Sequence, residues 1–525
     1  MPRFDAYLKG TAIALGLAAI ALADTSAATA SENLPTARTA QPSPEQRPKN
    51  VLLIISDDLA TRLGAYGWNV NTPNIDRLAS QGVTFERAYS QFPWCGPSRA
   101  SFLTGTRPDT NGVRNLWTPL RQKIPDLVTL PQHFRQQGFF TGRVGKVFHQ
   151  GVPDGIGKPG PDDPLAWDIA VDPRGRDVDI QEAGKLHDLS PGIPYGSAMT
   201  WYADEGPETD HTDAKVATAA IEMLKDQKDR PFFIAVGFYR PHVPEVAPQK
   251  YYDLYPIDEI EIDASTPEEL KRVLPASRAW APDHFGMTAD EQRQMIRGYY
   301  AATSFMDAQV GRMLDAVDEL GLSDSTVIVF LSDHGFLLGE HGQWMKNVLW
   351  DQSAKTPLIL RAPGVTKAGG RSPRVVELLD LYPTLTDLIG LPANERNEGR
   401  SLRPLLTEPQ NEDWTKAAFS QVMGGRSVHT ERWRYTEWQG GEKGRELYDH
   451  IADPAETRNL AEQPAYNQVV TYFGGMLASA TVEQRNEATE YDPVRNCLLR
   501  PLGAPPNPVD AGKPGVARIC EAIDP

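Results

Sequence analysis

Near its N-terminus the chain reads Asn50-Val51-Leu52-Leu53-Ile54-Ile55-Ser56-Asp57-Asp58, an apolar run that ends in two adjacent carboxylates. Such a run is typical of a strand that is covered on both faces. Similar runs follow at residues 231–237, 326–331 and 357–360, and helical patterns separate them, notably at 291–320 and 377–391. This alternation predicts an α/β fold, a large and mostly parallel sheet sandwiched by helices.

Two regions depart from that pattern. Residues 151–207 are rich in Gly, Pro and Asp, so we expect long loops above the sheet. After about residue 412, short alternating stretches such as 432–438 indicate a small antiparallel sheet, and a helical pattern follows near 466–478. We therefore predict a main domain over residues 49–411 and a smaller α+β C-terminal subdomain with its tail over 412–525.

The N-terminal segment has the features of an export signal. Arg3 and Lys9 precede an uncharged apolar run over residues 11–23, which is shorter than the roughly 20 residues of a membrane span. Ala28-Thr29-Ala30 offers a cleavage site of small residues. We predict a signal peptide over residues 1–30, with a membrane anchor as the alternative, and a disordered linker over 31–48. The mature protein is expected in the periplasm or outside the cell, free of the membrane.

The composition limits the classes of partner. Across 525 residues, 53 basic and 69 acidic side chains give a formal net charge of −16. Binding of nucleic acid or of an anionic membrane requires a basic face, so neither is expected as a partner. If the substrate is an anion, a local cationic pocket has to oppose the overall negative field.

Two acidic pairs follow predicted strands, Asp57-Asp58 and Asp333-His334. Sites in open α/β sheets form outside the carboxyl ends of the strands. Both pairs stand where the chain turns, so both members of each pair can face one ligand. Converging carboxylates repel unless a cation neutralises them, and oxygen-rich ligation suits Ca²⁺ or Mg²⁺. The alternative is that the two aspartates merely begin a loop.

Cysteine usage singles out one thiol. Of the three cysteines, Cys497 and Cys520 could pair in an oxidising compartment, which leaves Cys95 over. Pro97 can open a helix, placing Cys95 at a positive helix N-terminus, and Arg99 adds a guanidinium suited to a planar oxyanion. We predict that Cys95 is a nucleophile facing a phosphate- or sulfate-like group, with a buried inert cysteine as the alternative.

The stretch Cys95-Gly96-Pro97-Ser98-Arg99, followed by Leu103-Thr104-Gly105, resembles the signature of the type I sulfatases, members of the alkaline phosphatase superfamily. The resemblance extends from residue 49 to about 460 and includes Gly339-Glu340-His341-Gly342. Gly145-Lys146-Val147-Phe148-His149 and Arg240-Pro241-His242-Val243-Pro244 look most like the iduronate 2-sulfatase branch. The resemblance implies an alkaline phosphatase-like fold and makes residues 49–411 the catalytic domain of a sulfuric ester hydrolase.

The resemblance also implies a set of cofactors. A formylglycine-generating enzyme would oxidise Cys95 to formylglycine, whose hydrated aldehyde is the family's nucleophile. One Ca²⁺ ion, or Mg²⁺ in its place, would be held by Asp57, Asp58, Asp333, His334 and the modified residue 95. Imidazole is a less usual ligand for a hard cation, and His334 stands where many sulfatases have Asn, although the iduronate branch shares it.

The remaining roles follow from the same resemblance. Arg99 and Lys146 would steady the charged hydrate, and His149 would act as the base. His242 and Lys346 would bind the sulfate and help protonate the leaving oxygen. Aromatic residues near Cys95 have two interpretations, a sugar site or the rim of the core: Phe92, Trp94 and Trp117.

We therefore expect an exported sulfatase acting on a sulfate monoester, a 2-O-sulfate on a uronic-acid-containing glycan such as a glycosaminoglycan. Alternatives are a phosphonate or phosphate ester hydrolase of the same superfamily, and a sulfatase for another ester such as a 6-O-sulfated sugar or choline sulfate. A third alternative, from another class, is an inert glycan-binding protein on this scaffold.

Overall fold

The computed structural model describes residues 48–263, 265–478 and 497–502. The predicted signal peptide, almost all of the predicted linker and most of the C-terminal tail lie outside these ranges. Cys95 is a free, buried thiol, whereas Cys497 is disulfide-bonded. Its predicted partner, Cys520, lies outside the described residues.

The strands, in chain order, are β1 Asn50–Ser56, β2 Val83–Tyr89, β3 Phe140–Gly145, β4 Ile169–Val171, β5 His187–Asp188, β6 Thr200–Asp204, β7 Phe232–Gly237, β8 Glu245–Pro248, β9 Thr326–Ser332, β10 Leu337–Leu338, β11 Trp344–Met345, β12 Lys355–Arg361, β13 Gly370–Glu377, β14 Ala418–Val422, β15 Gly425–His429, β16 Trp433–Trp438 and β17 Arg445–Asp449. The α-helices are α1 Pro73–Gln81, α2 Cys95–Thr104, α3 Pro108–Asn111, α4 Leu130–Gln136, α5 Arg176–Glu182, α6 Thr212–Gln227, α7 Gln249–Tyr252, α8 Pro267–Arg272, α9 Ala289–Glu319, α10 Asp351–Ala354, α11 Leu381–Ile389, α12 Arg403–Thr407 and α13 Asn467–Ala478.

Eight strands form the main sheet, in the order β13-β2-β12-β9-β1-β7-β3-β4. All neighbours are parallel except where β12 lies between β2 and β9 and runs against both. β1 lies between β9 and β7, and Ile55 pairs with Leu331 on one side and Gly237 on the other. The mostly parallel sheet predicted from the sequence is confirmed, and the carboxyl ends of β1, β7 and β9 meet at one edge.

Both faces of the sheet are buried. Val51, Leu53 and Ile55 point into a core formed with residues of α2, α4, α11 and α12, whereas Leu52 and Ile54 point into a core formed with α1, α6 and α9. Burial of each such side chain contributes roughly 1.5–3 kcal/mol. Burial on both sides explains why β1 is a continuous apolar run.

The prediction of long loops over residues 151–207 was wrong in part. β4 joins the edge of the main sheet beside β3, α5 lies in the same region, and β5 and β6 form a three-stranded sheet with β8. The strands β4 and β5 are only three and two residues long and mostly exposed, so they carry no apolar periodicity. The predicted helix over 377–391 also begins later, at Leu381, because Glu377 completes β13.

The C-terminal part contains a four-stranded antiparallel sheet, β14-β15-β16-β17, as predicted. Helix α13 packs on it through Val469, Phe473 and Leu477, which share a core with Tyr435 and Leu447. Within the described ranges, no helix has the length and apolar character needed to cross a bilayer.

Candidate active site

Asp57-Asp58 and Asp333-His334 meet at the carboxyl edge of the sheet, directly after β1 and β9. The backbone N–H of Asp58 donates to Oδ1 of Asp333 at 3.2 Å, and the Tyr299 hydroxyl donates to the Asp58 carbonyl at 2.7 Å. Asp58 has a φ of 64°, in the left-handed region that few non-glycine residues adopt. This reversal at Asp58 is the turn that lets both adjacent carboxylates contribute to one site.

Cys95 is the first residue of α2, and its side chain is buried against the acidic cluster. Its Sγ lies 3.6 Å from Oδ1 of Asp58 and 3.3 Å from Nε2 of His334. Burial raises the pKa of the Cys95 thiol well above its ordinary value, and the opposing effect of Lys146 is smaller. The unmodified thiol is therefore protonated at neutral pH and is a poor nucleophile.

Arg99, one turn further along α2, is completely buried and joins three parts of the site. Its Nε donates to Oδ2 of Asp333 at 2.8 Å, and its Nη2 donates to Oδ1 of Asp57 at 3.0 Å. Its Nη1 donates to the carbonyls of Lys146 and Val147. One guanidinium thus uses four of its five N–H groups to fix both aspartates relative to the loop that carries Lys146, so its main role is to position the cluster.

Two lysines neutralise the other carboxylate oxygens. Lys146 Nζ donates to Oδ2 of Asp57 at 2.6 Å, and Lys346 Nζ donates to Oδ2 of Asp58. Burial acts to raise the pKa of Asp57, but Lys146, His242 and Arg99 together outweigh it and hold the pKa well below its ordinary value. Burial acts to lower the pKa of Lys346, but Asp58 and the other acidic groups of the cluster together outweigh it and raise the pKa, so the amine stays charged.

Both histidines of the cluster use Nδ1 to contact a backbone carbonyl. Nδ1 of His334 lies 2.8 Å from the Gly335 oxygen, and Nδ1 of His242 lies 2.7 Å from the Val243 oxygen. Each Nδ1 therefore carries the proton in the neutral ring, which leaves a lone pair on Nε2 facing the cluster. Burial lowers the pKa of His242 to about 4, although Asp58 acts against the shift.

The loop that carries His242 is fixed by two acidic residues that the sequence analysis did not identify. Asp177 accepts from Nη2 of Arg240 at 2.7 Å, and Asp213 accepts from the backbone N–H groups of Tyr239 and Arg240 at 2.9 and 3.0 Å. Nothing in their local sequence marks these aspartates, because their role depends on α5 and α6 packing beside the end of β7.

The donor set suits a divalent cation. Ligand atoms within 4.8 Å of one another occur in two overlapping groups, Asp57, Asp58, Cys95 and His242 in the first and Cys95, Asp333 and His334 in the second. Carboxylate oxygens with an imidazole lone pair at Nε2 are a plausible ligand set for a hard cation, and Ca²⁺ accepts irregular geometry. All five predicted ligand residues are brought together here; His242, predicted to bind sulfate, lies among them.

His149 and the aromatic residues lie on the loops around the cluster. Burial, followed by the charge of Lys146, lowers the pKa of His149 to about 3, and its buried Nδ1 has no hydrogen-bond partner. Trp94 is the residue before Cys95, and its ring makes an edge contact with Trp117 at 6.0 Å. Trp117 is 78% exposed, whereas Phe92 is buried in a small core with Leu349. Of these three rings, Trp117 is therefore the most accessible to a ligand.

Comparison with known proteins agrees with this geometry. A family profile described as Sulfatase matches residues 49–391, and one described as N-sulphoglucosamine sulphohydrolase, C-terminal, matches residues 339–483. A sulfatase of Formosa agariphila is 33% identical over 82% of this chain and 86% of its own length. Human iduronate 2-sulfatase is 34% identical over 78% of this chain and 90% of its own length.

Among solved structures, the phosphonate monoester hydrolase of Agrobacterium radiobacter superposes with a TM-score of 0.68 at 26% identity, covering 82% of this chain and 95% of that one. The chain belongs to the sulfatase family, with its alkaline phosphatase-like sheet and C-terminal antiparallel sheet. It is a sulfuric ester hydrolase.

Proposed function

We propose that the protein is an exported sulfatase that removes the 2-O-sulfate from a uronic-acid-containing glycan, using formylglycine made from Cys95 by a formylglycine-generating enzyme. The observation that carries the chemistry is the position of Cys95, whose Sγ lies within 3.6 Å of both Asp58 and His334. The similarity to human iduronate 2-sulfatase over 78% of the chain supports the choice of substrate.

Two groups would complete the machinery. Formylglycine at position 95 would supply a hydrated aldehyde, which carries two hydroxyl groups on one carbon where the unmodified residue has a single thiol. A Ca²⁺ ion held by Asp57, Asp58, Asp333, His334 and residue 95 supplies positive charge that stabilises the negative charge developing on the sulfate.

The chain's own residues bind the sulfate and move protons. Lys346 Nζ and His242 Nε2 both face Oδ2 of Asp58, the latter at 3.6 Å, so a sulfate bound there meets an ammonium and an imidazole. Lys346 remains protonated and is the group that can give a proton to the leaving alkoxide. His149 is neutral and can accept one. Arg99 and Lys146 keep Asp57 and Asp333 in position.

The test is sulfate release from a panel of esters by protein that is co-produced with a formylglycine-generating enzyme. The panel contains 2-O-sulfated uronate disaccharides, 6-O-sulfated glucosamine, choline sulfate, an aryl sulfate and an aryl phosphonate ester. Release from the 2-O-sulfated uronates is expected. Release only from another sulfate would overturn the uronate assignment and keep the chemistry. Turnover of the phosphonate alone would favour the second candidate function, which the similarity to the Agrobacterium radiobacter hydrolase supports.

Export is part of the same proposal, because a basic N-terminus followed by the apolar run at residues 11–23 suits a cleaved signal. N-terminal sequencing of the protein recovered from its native host is expected to begin at Ser31. A mature protein that begins at Met1 or Pro2 would contradict export through this signal.

Metal binding should be visible without turnover. Ca²⁺ at about 100 times its dissociation constant is expected to stabilise the fold by roughly 2.7 kcal/mol, because the unfolded chain has no such cluster. The thermal midpoint should therefore rise with Ca²⁺ and fall again with EDTA. The rise should disappear in Asp333→Asn and persist in Asp226→Asn, which alters an exposed carboxylate on α6. An equal rise in both variants would place the ion elsewhere.

Trp117 is expected to contribute to glycan binding. Its backbone is held by Oδ1 of Asn115, which accepts from the N–H groups of Trp117 and Thr118 at 2.9 and 2.8 Å. Stacking of a sugar on a fixed aromatic ring is a modest interaction, so Trp117→Ala should raise KM for the disaccharide about threefold to tenfold at unchanged kcat.

The effect of Trp117→Ala should be absent with the aryl sulfate, which lacks a second sugar. Trp280→Ala is the control, since Trp280 is also an exposed tryptophan, at 65%, and its ring contacts Phe285. An equal rise in KM for the disaccharide and for the aryl sulfate would show that Trp117 supports the fold of the site and does not bind the sugar.

A further inference from the structure

A cavity of about 170 Å³ lies between the C-terminal sheet and helix α8, and none of the residues proposed for catalysis lines it. Its volume corresponds to about six water molecules at roughly 30 Å³ each. The side chains that matter here are Arg272 and Glu269 of α8, His341 and Trp350 of the segment between β9 and β12, and Glu456 and Arg458 after β17. A ligand larger than a single water molecule therefore fits.

Two buried nitrogens in the cavity wall have no hydrogen-bond partner, Nε1 of Trp350 and Nε2 of His341. The two rings stack with their centroids 3.7 Å apart, and the guanidinium of Arg434 lies 4.9 Å from the Trp350 centroid. His341 and Arg434 both lie over the indole rings, so the N–H edge of Trp350 is its polar part left to meet a group in the cavity. Trp350 is 1% exposed and His341 is 7% exposed. Buried polar groups are nearly always paired, so these two nitrogens need a partner in the cavity, either water or a larger ligand.

Both carboxylates that line the cavity already have partners outside it. Glu456 is already paired with Nε of Arg434 at 2.5 Å and with Nε2 of His450 at 2.7 Å. Glu269 caps its own helix by accepting from the backbone and hydroxyl of Thr266 at 2.7 and 2.9 Å. Among the residues that the structure describes, no carboxylate lies within ion-pair distance of the exposed guanidiniums of Arg272 and Arg458. Two arginines without an ion-pair partner therefore line the same cavity as the Trp350 indole N–H, which can only donate.

We propose that this cavity is a second oxyanion-binding site, which takes a sulfate or carboxylate group, either as a free anion or carried on a sugar. Arginine forks bind such planar or tetrahedral oxyanions through paired N–H groups, and the Trp350 indole N–H adds a third donor. His341 precedes Lys346 by five residues and Trp350 follows it by four. An occupant therefore contacts both ends of the short segment that carries Lys346.

The test observes the Trp350 indole directly. The full chain carrying Cys95→Ala, labelled with ¹⁵N-tryptophan, has 11 indole signals, and the signal of Trp350 is the one that disappears in Trp350→Phe. Sodium sulfate, sodium glucuronate and a 2-O-sulfated uronate disaccharide are the probes. We expect the Trp350 signal to shift saturably with at least one of them, and half-saturation to need about tenfold more probe in Arg272→Gln/Arg458→Gln.

A matched pair of exposed lysines on and after α6, Lys225→Gln/Lys228→Gln, removes the same charge and is expected to leave the titration unchanged. A response to the simple salts identifies a free-anion site, and a response to the disaccharide alone identifies a sugar-borne group; both support the proposal. A Trp350 signal that no probe shifts, or that shifts equally in the arginine and lysine variants, would overturn it. The result does not depend on turnover, so it stands apart from the identity of the substrate.

Discussion

Cys95→Ala is expected to lower kcat/KM for sulfate ester hydrolysis by at least about 10⁴-fold, because removal of a nucleophile leaves only binding and electrostatic effects. The fold should persist, since the Cys95 side chain is small and contacts the cluster only through Sγ. Initial rates of sulfate release and the thermal midpoint, measured on the same preparation, check both statements.

Ser101→Ala is the matched control on the same helix. The Ser101 hydroxyl is buried without a hydrogen-bond partner, so its removal costs the site nothing. Its activity should equal that of the parent protein. If Cys95→Ala retained activity close to the parent, Cys95 would have no part in the chemistry and the proposed nucleophile would be wrong.

Arg99→Met is expected to destabilise the protein by about 3–5 kcal/mol when no divalent cation is present, because it leaves two buried carboxylates without their shared partner. Arg99 contacts Asp57 and Asp333 at 3.0 and 2.8 Å, and all three side chains are at most 1% exposed. Urea-induced unfolding in EDTA measures the difference, and activity should be lost in parallel.

Arg293→Met is the control, because Arg293 forms its ion pair at the surface and not in the core. Arg293 pairs with Asp290 at 3.0 Å at the exposed start of α9, and such surface pairs contribute at most about 1 kcal/mol. We therefore expect the free energy of unfolding to fall by about 3–5 kcal/mol in Arg99→Met and by at most about 1 kcal/mol in Arg293→Met. A similar small change in both would mean that the buried aspartates are neutralised without Arg99.

The sequence predicted the central strands well because burial on both faces leaves a strong signal. β1, β7 and β9 are continuous apolar runs, and their bounds agree with the prediction within one residue or two. The direction of β12 could not be predicted, since residues 355–361 have the same apolar character in a parallel or an antiparallel strand. The short strands β4 and β5 were missed because exposed residues carry no periodic pattern.

The site was predictable only where a motif contains the residues. Cys95 and Arg99 occur in one short stretch, and Asp57-Asp58 ends a strand. The position of His242 beside Asp57, Asp58 and Cys95, and the support of its loop by Asp177 and Asp213, depend on packing between distant segments. The unpaired nitrogens of His341 and Trp350 likewise become visible only when the C-terminal sheet is in place.

The reversed direction of β12 has an evolutionary consequence. Because β12 runs antiparallel to β9, residues 333–354 leave the sheet and return to it at the same edge, and the N–H of Gly335 joins the two ends by donating to the carbonyl of Ser353 at 2.9 Å. A segment closed at its base can change in length or sequence without shifting either strand. It carries Asp333 and His334 at its start and Lys346 in its middle. Relatives that differ in the length of this segment are therefore expected to differ in where the lysine lies, while the sheet beneath it stays the same.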